Sequence, residues 1–295
     1  MNSISKFLVI CCTAVLISGC EEPIQTRAEI IKQIDATGTI TDAQAEILSK
    51  ALVPLELNAL TSITDEQAEI LSKAEVSIEL NGVTSITNEQ AESLSKTMGL
   101  FLGGLKSISN EQVESLSKTE ILLGLNGLTS ITDQQAEKLS KVGTLFLDGL
   151  SSITDEQAES LSKVPFFLTL NGLTSITDQQ AESLSKANNL FLNGLISITD
   201  LQAEFLGKVK RVLELNGLTS ISDKQAEMLS QVEMLSLDGL LTITDDQAEI
   251  LSKIRWLSLT GLTSITDRQA RSLSKVENLE ISEDLQPLID KYKKQ

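Results

Sequence analysis

The stretch LNGLTSITDQQAEKLSK, from Leu125 to Lys141, returns as LNGLTSITDQQAESLSK from Leu170 to Lys186 with one residue changed. Looser copies fill almost the whole chain, and the Ile of their Ile-Thr-Asp core or its variants recurs eleven times. These residues are Ile40, Ile63, Ile86, Ile108, Ile131, Ile153, Ile176, Ile198, Ile221, Ile243 and Ile265. They are 22 or 23 residues apart, a period typical of proteins in which each repeat is one structural unit.

The apolar pattern changes within each repeat. The first half alternates, as in Leu145 and Leu147, which predicts a short strand, and the Gly or Ala that follows marks a bend. The second half predicts a short helix. Strands pair about 4.8 Å apart whereas packed helices lie about 8–10 Å apart, so the array should curve with its sheet on the concave side.

The helical half carries its own start and end signals. With Thr154 as the N-cap, Gln157 is the third helical residue, and the two form a capping box. All eleven repeats keep Thr or Ser and Gln at these places. Glu159 and Lys163 are an i, i+4 pair in the favourable order, and nine repeats have such a pair. The repeated residues are therefore predicted to be structural.

The pattern Leu-x-Leu-x-x-Leu-x-x-Ile-Thr-Asp resembles bacterial leucine-rich repeats, over residues from about Ile34 to about Ile281. The resemblance implies an α/β solenoid, a curved horseshoe of about eleven repeats with a parallel concave sheet and short convex helices. It also implies a non-catalytic scaffold that binds a protein or another ligand. Leu150 and its equivalents stand where many such repeats have a buried Asn or Cys, so we expect a drier core.

The N-terminal residues resemble a bacterial lipoprotein signal. After Lys6 comes the apolar run FLVICCTAVLI, and LISGC then ends at Cys20. The resemblance implies a signal peptide over residues 1–19, acylation of Cys20, and a lipid-anchored location in the bacterial cell envelope; Glu21 favours the outer membrane. The remaining predicted boundaries are an N-terminal cap over 20–35, the repeat array over 36–282 and a C-terminal capping segment over 283–295.

Composition excludes several classes of chemistry. The chain has no His, and its three Cys are all within the first twenty residues, so later residues cannot form a Ser-His-Asp triad or a His or Cys metal site. It has 24 Lys and Arg against 41 Asp and Glu, so a basic footprint for nucleic acid or anionic lipid is absent, which argues against both as direct partners. We expect no cofactor, no metal, no nucleic acid and a monomer.

Carboxylates leave two further hypotheses. The Asp at the first helical position could stack from repeat to repeat into a calcium ladder, although favourable interaction with the helix dipole already accounts for it. Asp148, paired with another acid across the sheet, could support glycoside hydrolysis. Such a regular array signals no cleft for a substrate, so we predict that the protein is not an enzyme.

The outward residues of the strands are the candidate ligand-binding residues. Alternation predicts that Phe146 and Phe191 are exposed on the concave face. The candidate set is Phe101, Phe146, Phe167, Phe191 and Trp256. Two interpretations remain open: these side chains contact a partner, or the residues before the strands fill a loop and the spacing is merely inherited. We predict a concave site for a protein or glycan; the alternatives are a structural or adhesive surface protein and a carboxylate-based hydrolase.

Overall fold

The computed structural model describes residues 24–293, so the predicted signal peptide and Cys20 lie outside the described residues. Helices and strands alternate along this part of the chain. The helices are α1 (Ile24–Thr37), α2 (Asp42–Leu48), α3 (Asp65–Leu71), α4 (Asn88–Leu94), α5 (Asn110–Leu116), α6 (Asp133–Leu139), α7 (Asp155–Leu161), α8 (Asp178–Leu184), α9 (Asp200–Leu206), α10 (Asp223–Leu229), α11 (Asp245–Leu251), α12 (Asp267–Leu273) and α13 (Gln286–Lys293).

The strands form one parallel sheet in chain order. They are β1 (Leu55–Glu56), β2 (Ser77–Glu79), β3 (Gly99–Phe101), β4 (Leu122–Gly124), β5 (Thr144–Phe146), β6 (Phe167–Thr169), β7 (Asn189–Phe191), β8 (Val212–Glu214), β9 (Met234–Ser236), β10 (Trp256–Leu259) and β11 (Asn278–Ile281). One strand and one helix per repeat, eleven times over, confirm the predicted leucine-rich-repeat solenoid.

Every helix from α2 to α12 begins with the predicted capping box. In α7 the backbone N–H of Gln157 donates to Thr154 Oγ1 at 3.0 Å, and the N–H of Thr154 donates to Gln157 Oε1 at 3.0 Å. Two N–H groups that a helix start leaves without partners are thereby satisfied in each repeat.

The same Gln side chain ties its repeat to the preceding one. In α8, Gln180 Nε2 donates to the backbone carbonyl of Ile153, one repeat earlier, at 2.8 Å. The equivalent bond forms in all ten repeats from α3 to α12. In the first repeat Gln44 donates instead to Gln33 of α1 at 2.8 Å. A capping box accepts Glu equally well, but only Gln has the N–H donor that this second bond requires.

The acid at the first helical position also links repeats. Asp155 accepts a hydrogen bond from the hydroxyl of Thr177, the N-cap of the next helix, at 3.2 Å. Five other pairs of repeats have the same bond. At the end of the array, Lys291 and Tyr292 of α13 take this place on Asp267, at 2.9 and 2.8 Å, and lower the pKa of its carboxyl. Helix α13 therefore substitutes for a twelfth repeat.

The predicted ion pairs along the helices form in only two of the nine repeats. Glu159 with Lys163 (3.7 Å) and Glu204 with Lys208 (3.3 Å) are the i, i+4 pairs within the described residues. All four side chains are largely exposed, and in that setting the attraction barely offsets the entropy of fixing two long side chains. The Lys residues that follow the helices are thus mostly left without such a partner.

A continuous apolar core runs from Ile30 in α1 to Ile289 in α13. Leu150, at the place where many such repeats have Asn or Cys, is fully buried within it. The Gly before this Leu is required by close packing: a Cβ on Gly149 would lie 2.3 Å from the carbonyl oxygen of Asn126 in the preceding repeat. The first repeat, which has no complete repeat before it, has Ala59 at this place.

We expect Gln180→Ala to lower the free energy of unfolding by about 2 kcal/mol, because it removes a cap and leaves the buried carbonyl of Ile153 without a partner. Gln180→Glu keeps the capping acceptor but sets a carboxylate oxygen against that carbonyl. Its loss should therefore be as large at pH 7 and should shrink at acidic pH, where the protonated carboxyl can donate.

Urea unfolding of both variants at the two pH values measures these effects. The matched control is Gln179→Glu, which adds the same charge at an exposed position of the same helix. If Gln180→Glu and Gln179→Glu have equal stability at pH 7, the link between repeats contributes nothing.

Candidate binding site on the concave sheet

The strand register places the concave side chains in two rows, numbered one and three by position in the strand, with an inward Leu or Ile at position two. Row one holds the first residue of each strand from β2 onward: Ser77, Gly99, Leu122, Thr144, Phe167, Asn189, Val212, Met234, Trp256 and Asn278. Row three holds the residue two places later: Glu79, Phe101, Gly124, Phe146, Thr169, Phe191, Glu214, Ser236, Ser258 and Glu280. Glu56 of β1 begins row three.

Phe167 and Trp256 are strand residues, so the extended conformation reaches the positions that the sequence left open. Each strand from β3 to β10 consequently contributes one apolar side chain to the concave face. These are Phe101, Leu122, Phe146, Phe167, Phe191, Val212, Met234 and Trp256. They alternate between the two rows over the first five of these strands and then continue along row one.

The predicted exposure of Phe146 and Phe191 is wrong. Both rings lie outside the continuous core, as expected, yet each is only 6% exposed. The cause is packing between rings: Phe101 lies 5.5 Å from Phe146, and Phe167 stacks on Phe191 at 5.8 Å with 10° between the ring planes. Phe167 and Trp256 are half-buried and remain accessible.

The Phe101 ring lies over Gly124, which separates Phe101 from Phe146 in row three. A Cβ on Gly124 would lie 2.2 Å from the Phe101 ring, so only Gly leaves room for this pair. Thr169, between Phe146 and Phe191 in the same row, is completely buried, and its hydroxyl has no partner within residues 24–293. Sequence patterns do not indicate this enclosure, because it depends on contacts between side chains of different repeats.

An amide and carboxylate ladder borders the two rows. In each link of this ladder, the side chain of the Asn or Asp that precedes the Gly of the repeat accepts a hydrogen bond from a backbone N–H group. The donor is the equivalent residue of the next repeat, as Asn193 N donates to Asn171 Oδ1 at 2.9 Å. Seven further links of this kind form, and Gly103, which has no side chain, interrupts the series. The ladder therefore lies at the edge of the concave face and not in the core, where Leu150 stands.

The concave face is acidic. Its two rows and the adjoining ladder contain six carboxylates and no Lys or Arg within the described residues. The acids are Glu56, Glu79, Asp148, Glu214, Asp238 and Glu280. A ligand for this surface must therefore tolerate, or complement, negative charge next to apolar side chains.

Glu214 has the most perturbed environment among these acids. It is 8% exposed, next to Phe191 in row three, and Asn193 Nδ2 donates to its carboxylate at 3.0 Å. Burial raises the pKa of Glu214 to about 7; the bond from Asn193 opposes this shift, and the negative charges of Asp238 and Glu280 add to it. The carboxyl therefore changes charge near neutral pH.

Positive charge is concentrated on another surface, which we call the basic rim. It consists of the eleven connections that lead from a helix to the next strand. Because the strands are parallel and in register, these connections lie side by side along one edge. They hold thirteen Lys and Arg and four Glu, whereas helices α2 to α12 hold 24 acids and four bases. The overall charge of −17 conceals this segregation, so the absence of a basic footprint holds only for the average.

Most of the rim's charge comes from the Lys that follows ten of the eleven helices α2 to α12. These residues are Lys50, Lys73, Lys96, Lys118, Lys141, Lys163, Lys186, Lys208, Lys253 and Lys275, and all are exposed.

Residues 24–293 contain neither a metal-binding cluster nor a membrane-spanning helix. No group of three or more acidic or Cys side chains in that part of the chain is placed to hold a metal ion. No helix there is both long enough and apolar enough to cross a bilayer.

Glu214→Gln should change how stability depends on pH. A carboxyl with a pKa of about 7 in the folded chain and an ordinary value when unfolded makes the fold progressively less stable as pH rises from about 4.5 to 7. The variant should match the parent protein at pH 4.5 and exceed it at pH 8 by up to about 3 kcal/mol.

Denaturant unfolding at both pH values tests this expectation. Glu182→Gln, on the exposed face of α8, is the control for removing one negative charge from an acidic protein. A Glu214→Gln protein whose advantage does not grow with pH would show that the buried carboxyl is not ionising in this range.

No family model matches the chain, and no curated protein matches it. Among solved structures, it is similar to an internalin from Listeria monocytogenes, at 20% identity and a TM-score of 0.49, over 87% of this chain and 74% of the internalin. It is also similar to a leucine-rich-repeat protein from Leptospira interrogans, at 16% identity and a TM-score of 0.49, over 90% and 88% of the two chains. These similarities concern the fold alone. The evidence for the leucine-rich-repeat fold is the sheet of eleven parallel strands described above.

Proposed function

We propose that the protein is a non-catalytic scaffold, anchored in the cell envelope, that binds a protein partner through its concave sheet. The observation that carries the proposal is the composition of that face. Eight successive strands each contribute an apolar side chain, and six carboxylates surround them without any Lys or Arg. Five of these apolar side chains are half-buried and still accessible, and accessible apolar surface bordered by charge of one sign is typical of a protein interface.

The chemistry of this face defines the partner. Apolar side chains should enter between Phe167 and Trp256, where Val212 and Met234 are half-buried on the strands between them. Lys or Arg side chains should meet the acids, above all Glu214, whose buried carboxylate gains most from a cation. A glycan would need neighbouring open ring faces, but Phe146 and Phe191 are covered by their neighbours, and the accessible Phe167 and Trp256 lie four strands apart, which favours a protein.

The half-buried aromatic side chains provide the test of this site. Phe167→Ala and Trp256→Ala should each lower the affinity for a partner captured from an envelope extract by about tenfold or more. The reason is that aromatic side chains buried at an interface commonly dominate its binding energy. The matched control is Phe205→Ala, a half-buried aromatic on the convex helix α9, which should leave the affinity unchanged.

Affinity is measured by titration, and the unfolding midpoint of each variant checks that the fold is intact. An affinity lost only with Phe205→Ala would move the site to the convex helices. That outcome would support the alternative of an adhesive or structural surface protein.

The anchor is part of the same proposal. Cys20 lies four residues before α1, and Ile30 and Ile34 of that helix are buried against the first repeat. Four extended residues span at most about 14 Å, so an acylated Cys20 would hold the first repeat close to the membrane. Several acyl chains on one residue give stable attachment.

Cys20→Ser should release the protein from the membrane fraction or leave its N-terminal segment uncleaved. Fractionation of cells that express the parent protein and the variant, with mass measurement of the mature chain, makes the comparison. If processing and membrane partition are the same in both, the lipid anchor is wrong, whereas the concave site is unaffected.

A further inference from the structure

The basic rim also carries exposed apolar side chains, and these are confined to its first half. The position concerned lies two residues before the inward Leu or Ile of each strand. In four of the first six repeats it holds a large apolar residue that is exposed: Val53, Met98, Ile121 and Phe166. These side chains are 59%, 41%, 42% and 56% exposed, and Leu52 beside Val53 is 82% exposed. Large apolar side chains left so open on one edge call for a physical explanation.

These apolar residues line one edge as an interrupted strip, because the equivalent places hold the buried Val76 before β2 and Gly143 before β5. Backbone hydrogen bonds join the connections, with Ile121 N donating to Met98 O at 3.2 Å and Phe166 N to Gly143 O at 2.8 Å. The Phe166 ring covers Gly143, where a Cβ would lie 3.0 Å from it. From β1 to β6 the strip is about 24 Å long, at about 4.8 Å per strand.

The second half of the rim differs. Its equivalent positions are polar or charged, and Arg255 pairs with Glu233 at 3.1 Å and with Glu277 at 3.3 Å. The apolar strip therefore ends where ion pairs begin, and it lies in the half of the array that is closer along the chain to Cys20.

The Lys side chains of the first half border the strip on its convex side. The Glu residues on the helices lie one turn behind them, but Lys163 is the only one of the first six that pairs with such a Glu within the described residues. Glu114 interacts electrostatically with Lys118 and Lys141, but its carboxylate forms an ion pair with Lys138 at 2.6 Å. The ammonium groups along this strip are thus mostly available.

We infer that the first half of the basic rim lies against an anionic lipid surface. Lys side chains would meet the phosphates of the headgroups, and the apolar strip would enter the boundary between headgroups and acyl chains. The acids at the helix starts are about 10 Å away along the helices, roughly one Debye length at ordinary salt, so salt weakens their repulsion. The Glu residues one turn behind the Lys residues, and Glu75 and Glu120 within the rim, are nearer and oppose the attraction, so binding needs the apolar strip as well as the Lys residues. The inference rests on the proposed lipid anchor, because acylated Cys20 would bring the first half of the repeat array to the membrane.

The test uses the unacylated chain that begins at Glu21, so that the anchor plays no part. All the buried core residues, from Ile30 to Ile289, are within this chain. It should float with vesicles of phosphatidylcholine and phosphatidylglycerol, bind phosphatidylcholine vesicles much less, and be released by added salt. Added inorganic phosphate at constant ionic strength should not displace it, because single phosphates offer no surface for the strip.

Two sets of charge reversals give matched proteins of equal net charge. Lys96→Glu, Lys141→Glu and Lys163→Glu on the rim should together lower the vesicle partition coefficient at least tenfold. Lys106→Glu, in the connection before α5, together with Lys224→Glu and Arg268→Glu, in the first turns of α10 and α12, change charges toward the opposite edge and should lower it much less. Ile121→Ser with Phe166→Ser should also weaken partition while leaving the unfolding midpoint nearly unchanged, since both side chains are exposed.

Three results would overturn the inference: no flotation of the parent chain with anionic vesicles, equal effects of the two triple variants, or tighter binding to DNA than to the vesicles. Because every protein in this experiment lacks the acyl group, such a result leaves the Cys20 anchor standing. Conversely, failure of the Cys20→Ser experiment does not alter what the vesicles show.

Discussion

The side-chain amide of one Gln per repeat is the interaction on which the array depends. Its oxygen caps its own helix and its N–H group binds the carbonyl of the preceding repeat, as Gln180 does with Ile153. A repeat therefore cannot form its helix start in the native way without also fixing its position on its neighbour. Such coupling is what a solenoid requires, because a single strand and helix cannot bury their apolar side chains alone.

The fold could be predicted because its determinants are local and repeated. Capping boxes, alternation and the period of 22 or 23 residues are all visible in one repeat or in the comparison of two. The Gln-to-carbonyl bond could have been suspected, since all eleven repeats have Gln where Glu would cap equally well. The enclosure of Phe146 could not, because alternation gives the face of a side chain but not the neighbouring ring that covers it.

The distribution of charge over the surface is also not predicted by composition alone. A composition of 24 bases and 41 acids describes a uniformly acidic protein, yet parallel topology gathers thirteen of those bases along one edge. The Lys that follows ten of the eleven repeat helices is enough to predict this edge once the fold is known. Helix dipoles account for Lys at these ends, but they do not account for Met98, Ile121 and Phe166 being exposed beside them.

The two proposed surfaces are geometrically compatible. The rim lies at the amino ends of the strands, so an array resting on it would hold its strands upright on the membrane. The concave face would then open sideways, with its carboxylates such as Glu214 and Asp238 raised above the lipid headgroups rather than pressed against them. An acidic face on an anionic membrane is repelled from the surface, and a basic edge is attracted to it. The segregation of charge would therefore both set the orientation of the array and keep its concave face free for a cationic partner.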